Sequence, residues 1–308
     1  MEKLIALDEY PVKPVLKTLL QDKSTKTNII WATDTYARLG YGYTASDRMQ
    51  PSHFSGFLAG IIQPRLQRTL EDQSARTKQK AEVFTPVWVC NLMNNICDEE
   101  WFGRKDVFNI QAGMQRTTVE EPIIFPEDKS WMDYVDSRRM EITCGEAPFL
   151  VSRYDASTGE AIPLNDRIGI LDRKLRIVNE NTQTEEEWFK WATRAFQGVY
   201  GYEYQGDSLL IARANLLNTF TEYLGERWQR EATKKELLQI ANIIAWNLWQ
   251  MDGLTDAVPG GTPIEESGQL CWFDTEVHET TPKPGTKCII YDWRADRSLF
   301  YSELKRGC

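Results

Sequence analysis

From residue 138 to residue 293 the chain alternates short β-prone runs with long amphipathic ones, and that alternation limits the folds open to it. RRMEIT (138–143) reads as a strand, and CGEAPFLVSRY follows it. After a Gly/Pro/Asp-rich loop at 155–167, RIGILDRKLRIVNEN and EEEWFKWATRAFQGV read as helices. VYGYEY (199–204) alternates as a strand does. QGDSLLIARANLLNTFTEYLGERW is a strongly amphipathic helix with Asp207 or Ser208 near its N-cap, and KKELLQIANIIAWNLWQMD is another. Residues 253–286 carry Gly and Pro throughout and read as a long loop, and KCIIYDW (287–293) is a last strand. Strands separated by helices imply an α/β core with a parallel sheet. Ligands of such sheets lie beyond the C-terminal ends of the strands. The segments that matter are therefore Thr143–Pro148, Glu203 and Asp292.

Ahead of this core, residues 1–80 read as a polar, helical region, interrupted by RLGYGYTASD at 38–47. LAGIIQPRLQRTLEDQSARTKQKAE (58–82) reads as helix, broken or restarted at Pro64. We therefore divide the chain into an N-terminal helical region, 1–80, and a main domain, 81–308. Within the latter, VWVCNLMNNICDEEWFG (87–103) is a helix with Thr85 at its N-cap, Pro86 in its first turn and Gly103 at its end.

Composition narrows the function. The net charge is -9 and the pI about 5.0. Phosphate neutralisation supplies much of DNA affinity, so the whole chain is a poor non-specific DNA binder. The local cluster Arg65, Arg68, Arg76, Lys78 and Lys80 is interrupted by Glu71 and Asp72 and reads as a solvated face. The 6 cysteines form no CxxC pair and are expected as reduced thiols, and 2 histidines make a zinc site improbable. The tryptophan pairs Trp188/Trp191 and Trp246/Trp249 sit at helical spacing and read as core. No apolar run approaches the ~20 residues of a membrane span. The N-terminus is not a basic-then-apolar signal, so a cytoplasmic protein is expected.

A nucleoside cofactor with a charged tail would need three things from this sheet. A Gly at the first strand end lets the backbone approach it. An acid at the second strand end accepts both ribose hydroxyls. A third acidic or amide group meets the base or the reacting partner. The chain supplies Gly145, Glu203 and Asp292 in that order. GxGxxG and GxxxxGK[ST] are both absent, which disfavours a dinucleotide or a P-loop nucleotide and leaves S-adenosylmethionine as the better candidate.

With these residues in place the chain resembles the adenine-N6 DNA methyltransferases of restriction-modification systems, in the γ-type arrangement of type I and type IIG enzymes. KAEVFTPVWVCNLM (80–93) resembles motif X, EITCGEAPFL (141–150) motif I, YGYEYQGDSLLIARANLL (200–217) motif II and KCIIYDWRADRSLF (287–300) motif III. The resemblance implies a Rossmann-like methyltransferase fold that binds S-adenosylmethionine. By motif it assigns cofactor contacts to Phe84, Thr85, Pro86, Thr143, Cys144, Gly145, Glu146, Pro148, Glu203, Tyr204, Asp292 and Trp293. Phe84 would pack on the cofactor, and Thr85 would place its hydroxyl near the methionine carboxylate. Cys144 would be a small packed residue and Pro148 would open a helix. Asn91 and Asn94 would line the pocket or simply face solvent.

In the family, motif III is followed by an NPPY loop that holds the flipped adenine. This chain has no Pro-Pro pair, and TPKPGT (281–286) precedes the motif III run. The target-recognition region that normally follows is likewise not present. The catalytic residues are thus unassigned, and three readings stand. The chain is the cofactor-binding part of a split methyltransferase, with a second subunit supplying NPPY and target recognition. That subunit, or a homo-oligomer interface, would cover the unpaired edge of its sheet. Alternatively it is a catalytically inactive methyltransferase-fold module, with or without the cofactor, that acts through protein contacts in defence or counter-defence. Third, it methylates another substrate, using Tyr291, Asp292 or Asp252.

Overall fold

The computed structural model describes residues 4–68, 85–155, 157–260 and 285–305. At its centre lies a three-stranded parallel sheet of β5 (Arg139–Glu141), β6 (Val199–Glu203) and β7 (Leu248–Gln250), with β6 in the middle. Two helices, α4 (Ile170–Asn181) and α5 (Glu185–Gln197), join β5 to β6. Two more, α6 (Gly206–Trp228) and α7 (Lys234–Asn247), join β6 to β7. The α/β core with parallel strands is therefore observed, as a small sheet.

The helices begin where local chemistry fixes them. Thr184 caps α5 by accepting from the Glu187 amide, and Thr233 and Glu236 form a reciprocal capping box on α7. On one face of the sheet Val199 and Leu248 enter a core with α4 to α7. Successive strand residues point to opposite faces. Tyr200, Tyr202, Trp249 and Met251 accordingly form a second cluster, with Cys288, Ile290 and Tyr301.

That second cluster corrects the reading of the last strand. KCIIYDW supplies β8 (Ile289–Asp292), which pairs antiparallel with β9 (Arg297–Phe300) and does not join the parallel sheet. A short helix, α8 (Tyr301–Lys305), follows. The third parallel strand comes instead from Leu248–Gln250, inside the run expected to remain helical to Asp252. The helix stops at Asn247 because tertiary contacts claim the next residues. Arg213 of α6 donates Nε and Nη2 to the Leu248 carbonyl at 3.0 and 2.6 Å, and Asn247 donates to the carbonyls of Phe196 and Val199.

The N-terminal segment also differs from expectation. Over residues 4–68 it contains one four-residue helix, α1 (Leu16–Leu19), a two-residue strand pair, β1 (Gln21–Asp22) with β2 (Thr27–Asn28), and isolated 3-10 turns. Its apolar residues Leu7, Leu19, Trp31, Met49 and Phe54 enter the same core as α6 and α7. The helix expected over 58–82 is not formed in its described part: 3-10 turns at 56–58 and 65–67 are separated by turns and bends, and residues 69–82 lie outside the described residues. Helix α2 (Val87–Phe102) starts one residue later than read, with Pro86 as its N-cap and Gly103 left-handed at its end. The hairpin β3 (Asn109–Ala112) with β4 (Gln115–Thr118) and helix α3 (Trp131–Asp136) lead into the sheet. No helix among the described residues is long and apolar enough to cross a membrane.

Candidate functional site

Parallel pairing brings the C-terminal ends of β5 and β6 side by side, and the loop after β5 folds across both. Thr143, Gly145 and Ala147 all have left-handed backbones, with φ of 47°, 55° and 65°. The alternation winds residues 142–150 into consecutive turns, so Pro148 sits in a turn and opens no helix; the next helix is α4. Cys144 is buried at the centre of the loop and donates its amide to the Tyr202 carbonyl. A Cβ on Gly201 would stand 3.3 Å from the Cys144 sulfur, so the absence of a side chain there admits the loop. Burial pushes the Cys144 thiol up and keeps it neutral, consistent with a packed residue and not a nucleophile.

Gly145 joins the two strand ends. Its amide donates to Glu203 Oε2 at 2.9 Å, while Glu203 Oε1 accepts from the Gln205 amide at 3.0 Å. Glu203 is 8% exposed. Burial raises its carboxyl, and the two amides act in the opposite sense. No heavy atom lies within 4 Å of the position a Gly145 Cβ would take, so open space meets the backbone there. Glu146 turns the other way. It accepts from the Arg65 amide at 2.8 Å and from the Tyr154 hydroxyl at 2.7 Å, which ties the loop to the N-terminal segment. Tyr204 is 39% exposed just beyond Glu203.

The N-terminal segment spans these strand ends. Gln250, the last residue of β7, accepts the Ile30 amide and donates to the carbonyls of Ile30 and Tyr204, each at 2.9 Å. The Gly206 amide donates to the Trp31 carbonyl at 3.0 Å, and a Cβ on Gly206 would collide with the Ile30 carbonyl at 2.0 Å. Asp207, fully buried in the first turn of α6, accepts from Tyr36 at 2.9 Å and lies 3.4 Å from Arg68. Beside Gln250 a cleft of about 850 Å3 opens between this segment and Val258–Gly260, lined also by Asp22, Tyr41, Arg48 and His53.

Of the residues read from sequence, Thr143, Cys144, Gly145, Glu146, Glu203 and Tyr204 converge here. Asp292 and Trp293 do not. Asp292 lies 3.6 Å from Arg138, which precedes β5, and Trp293 donates to Asn247, which precedes β7, at 2.7 Å. Both therefore stand at the opposite, N-terminal end of the sheet. The group that follows the third strand is Asp252, whose Oδ1 accepts from the Leu254 amide at 2.8 Å. Thr85 and Pro86 lie just before α2, where Thr85 offers its carbonyl to the Cys90 thiol at 3.8 Å. Phe84, like Arg76, Lys78 and Lys80 of the basic cluster, lies outside the described residues. Asn91 and Asn94 are buried and structural: Asn91 bonds Asn109 and Gln111, and Asn94 bonds the carbonyls of Phe149 and Ile168.

Glu141 was not singled out by the sequence. It ends β5, is 8% exposed and accepts from the amides of Phe149 and Leu150 at 3.4 and 3.2 Å. Burial raises it strongly, with the Glu203 charge acting in the same sense. An acid inside the apolar run MEI was the available signal. Two buried carboxylates on adjacent strand ends thus flank the Gly145 loop. The arrangement offers acceptor lone pairs for ligand hydroxyl groups, beside backbone at Gly145 that no side chain covers. Comparison of the chain with protein-family models, with curated proteins and with solved structures gives no match.

Proposed function

We propose that the strand-end loop is an S-adenosylmethionine site, in an adenine-N6 methyltransferase-like subunit of a restriction-modification or related defence system that needs a partner for catalysis. The observation that carries the reading is the hydrogen bond from Gly145 to Glu203. Two residues 58 positions apart, chosen as cofactor contacts on adjacent strands, are in direct contact. The donor set fits such a group. No side chain stands over the Gly145 backbone, Glu203 retains lone pairs for the ribose diol, and Glu141 braces the loop through the Phe149 and Leu150 amides. When bound, S-adenosylmethionine supplies an electrophilic methyl on a sulfonium. This chain's own residues bind and orient, because the sequence carries no NPPY loop to hold an acceptor adenine.

Calorimetric titration with S-adenosylmethionine tests the site. Binding is expected in the parent chain and a loss of tenfold or more in Glu203→Ala, the order expected when a buried hydrogen-bonding carboxylate is removed. Binding unchanged in Glu203→Ala would refute the assignment of Glu203.

A second reading is favoured by the same carboxylate. Both Glu203 oxygens already accept backbone amides, as in a structural brace. A brace predicts no heat with the cofactor and a loss of stability in Glu203→Ala, and the chain would then act as an inactive interaction module.

A further inference from the structure

Helix α2 carries apolar side chains on both of its faces. Val87, Cys90 and Phe102 are buried, and beside them on the inner face Asn91, Asn94 and Asp98 are each at most 3% exposed. Asp98 pairs with the buried Arg173 and accepts from the Tyr134 hydroxyl at 2.7 Å. Asn91 accepts from Arg173 at 2.8 Å. The outward face is apolar. Leu92 is 43% exposed, Met93 51% and Ile96 57%, with Val89 half-buried one turn earlier. Residues three and four apart share a helix face, so these four form one stripe. Isolated exposed apolar side chains are ordinary on protein surfaces. A continuous stripe on the outward face departs from the pattern expected of a solvated helix.

We propose that this stripe is a self-association surface, packing antiparallel against the same stripe of a second copy. Its spacing is self-complementary. Val89, Leu92, Met93 and Ile96 are symmetric about the point between Leu92 and Met93. A two-fold axis there sets Val89 against Ile96 of the second copy and Leu92 against its Met93, as a closed isologous interface requires. The charges agree. The last turn of α2 carries Glu99 and Glu100, and the same axis brings them to the N-terminal end of the opposing helix. There Pro86 provides no side-chain cap, and the helix dipole is positive. Lys105 lies 3.8 Å from Glu99, so that acid stays at the rim and Glu100 is the freer partner. A parallel arrangement would instead set the acidic ends together. A standard interface buries about 800 Å2 per partner. One stripe supplies only part of that, so the association is weak and concentration-dependent.

Sedimentation equilibrium of the full chain from dilute to concentrated solution tests the proposal. The mean mass is expected to rise from one chain toward two. Met93→Glu, and independently Ile96→Lys, should weaken association at least tenfold, while circular dichroism stays that of the parent because both side chains are half exposed. Glu100→Lys should weaken it less. Ile110→Glu serves as the control: that residue is 53% exposed in the β3–β4 hairpin, and the change should leave association unaltered. A mass of one chain at the highest concentration overturns the proposal. So does a dimer indifferent to both Met93→Glu and Ile96→Lys.

Discussion

Asp172 shows how one buried side chain sets the response of this fold to pH. It lies in the first turn of α4, fully buried, with Oδ2 accepting from the Ser152 amide at 2.8 Å and Oδ1 without a hydrogen-bond partner. Burial raises its carboxyl to about 6, against the pull of Arg167 at 4.0 Å. A carboxyl raised in the folded state binds its proton more tightly there than in the unfolded chain. The folded state is therefore favoured at low pH and loses that advantage as pH rises through the folded value. Between the ordinary carboxylate range and pH 6 the loss amounts to about 3 kcal/mol for this one group. Glu141 and Glu203 act in the same direction, while Glu236, held down to about 2 by Arg230, acts in the opposite one. Asp172→Asn isolates the single contribution. Urea unfolding at several pH values should show the parent losing stability relative to Asp172→Asn between about pH 4 and pH 6, and a constant difference above. A difference independent of pH throughout would show that Asp172 titrates at its ordinary value.

Elements differ in how far local sequence determines them. Strands β5 and β6 and helices α4 to α6 follow from alternation, helical periodicity and capping residues, and they appear close to where those signals place them. Strand β7 was hidden, because WNLWQM contains no breaker and continues a helical pattern. What ends the helix is Arg213, which lies 35 residues away and takes the Leu248 carbonyl. The Gly145 loop was legible by its glycine, yet its shape depends equally on left-handed Thr143 and Ala147, residue types that do not announce such a conformation. Asp292 was chosen because YDW ends a β-prone run, and nothing local says which sheet such a run will join. The contact made by β7 carries its own prediction. Gln250 satisfies three backbone groups of two other segments, so Gln250→Ala leaves them without those partners. These bonds are only part-buried, and at roughly 0.5 to 1 kcal/mol for each one lost the variant should lose about 1 to 3 kcal/mol. Hydrogen exchange should show the Ile30 amide losing protection ahead of the amides of β6. Equal protection in variant and parent would mean that Ile30 is held by other contacts.

At the scale of the whole molecule, the division drawn at residue 80 separates segments that share one core. Trp31 is fully buried with Phe54 and Tyr36 around its ring, and its carbonyl receives the Gly206 amide at the start of α6. Leu19 and Leu20 are equally buried beside α7, and Arg213, inside α6, donates to the carbonyls of Leu19 and Gln21. A buried guanidinium deprived of these acceptors is costly to the fold. Burial already lowers this one to about 10, with Asp22 of the N-terminal segment acting to restore it. A fragment of residues 85–308 would expose the apolar side of α6 and α7 and take the Leu19 and Gln21 carbonyls from Arg213 Nη1, leaving only its bonds to Leu248 and Ala245. It should show no cooperative thermal transition by circular dichroism, and addition of a 1–84 fragment should restore one. The restored complex should also recover any binding of S-adenosylmethionine, because Arg65 holds Glu146 and Arg68 faces Asp207 at the strand ends. A cooperative transition in 85–308 alone would show that the sheet and its helices are stable without the segment, and the N-terminal region would then be a separable cover over the strand ends.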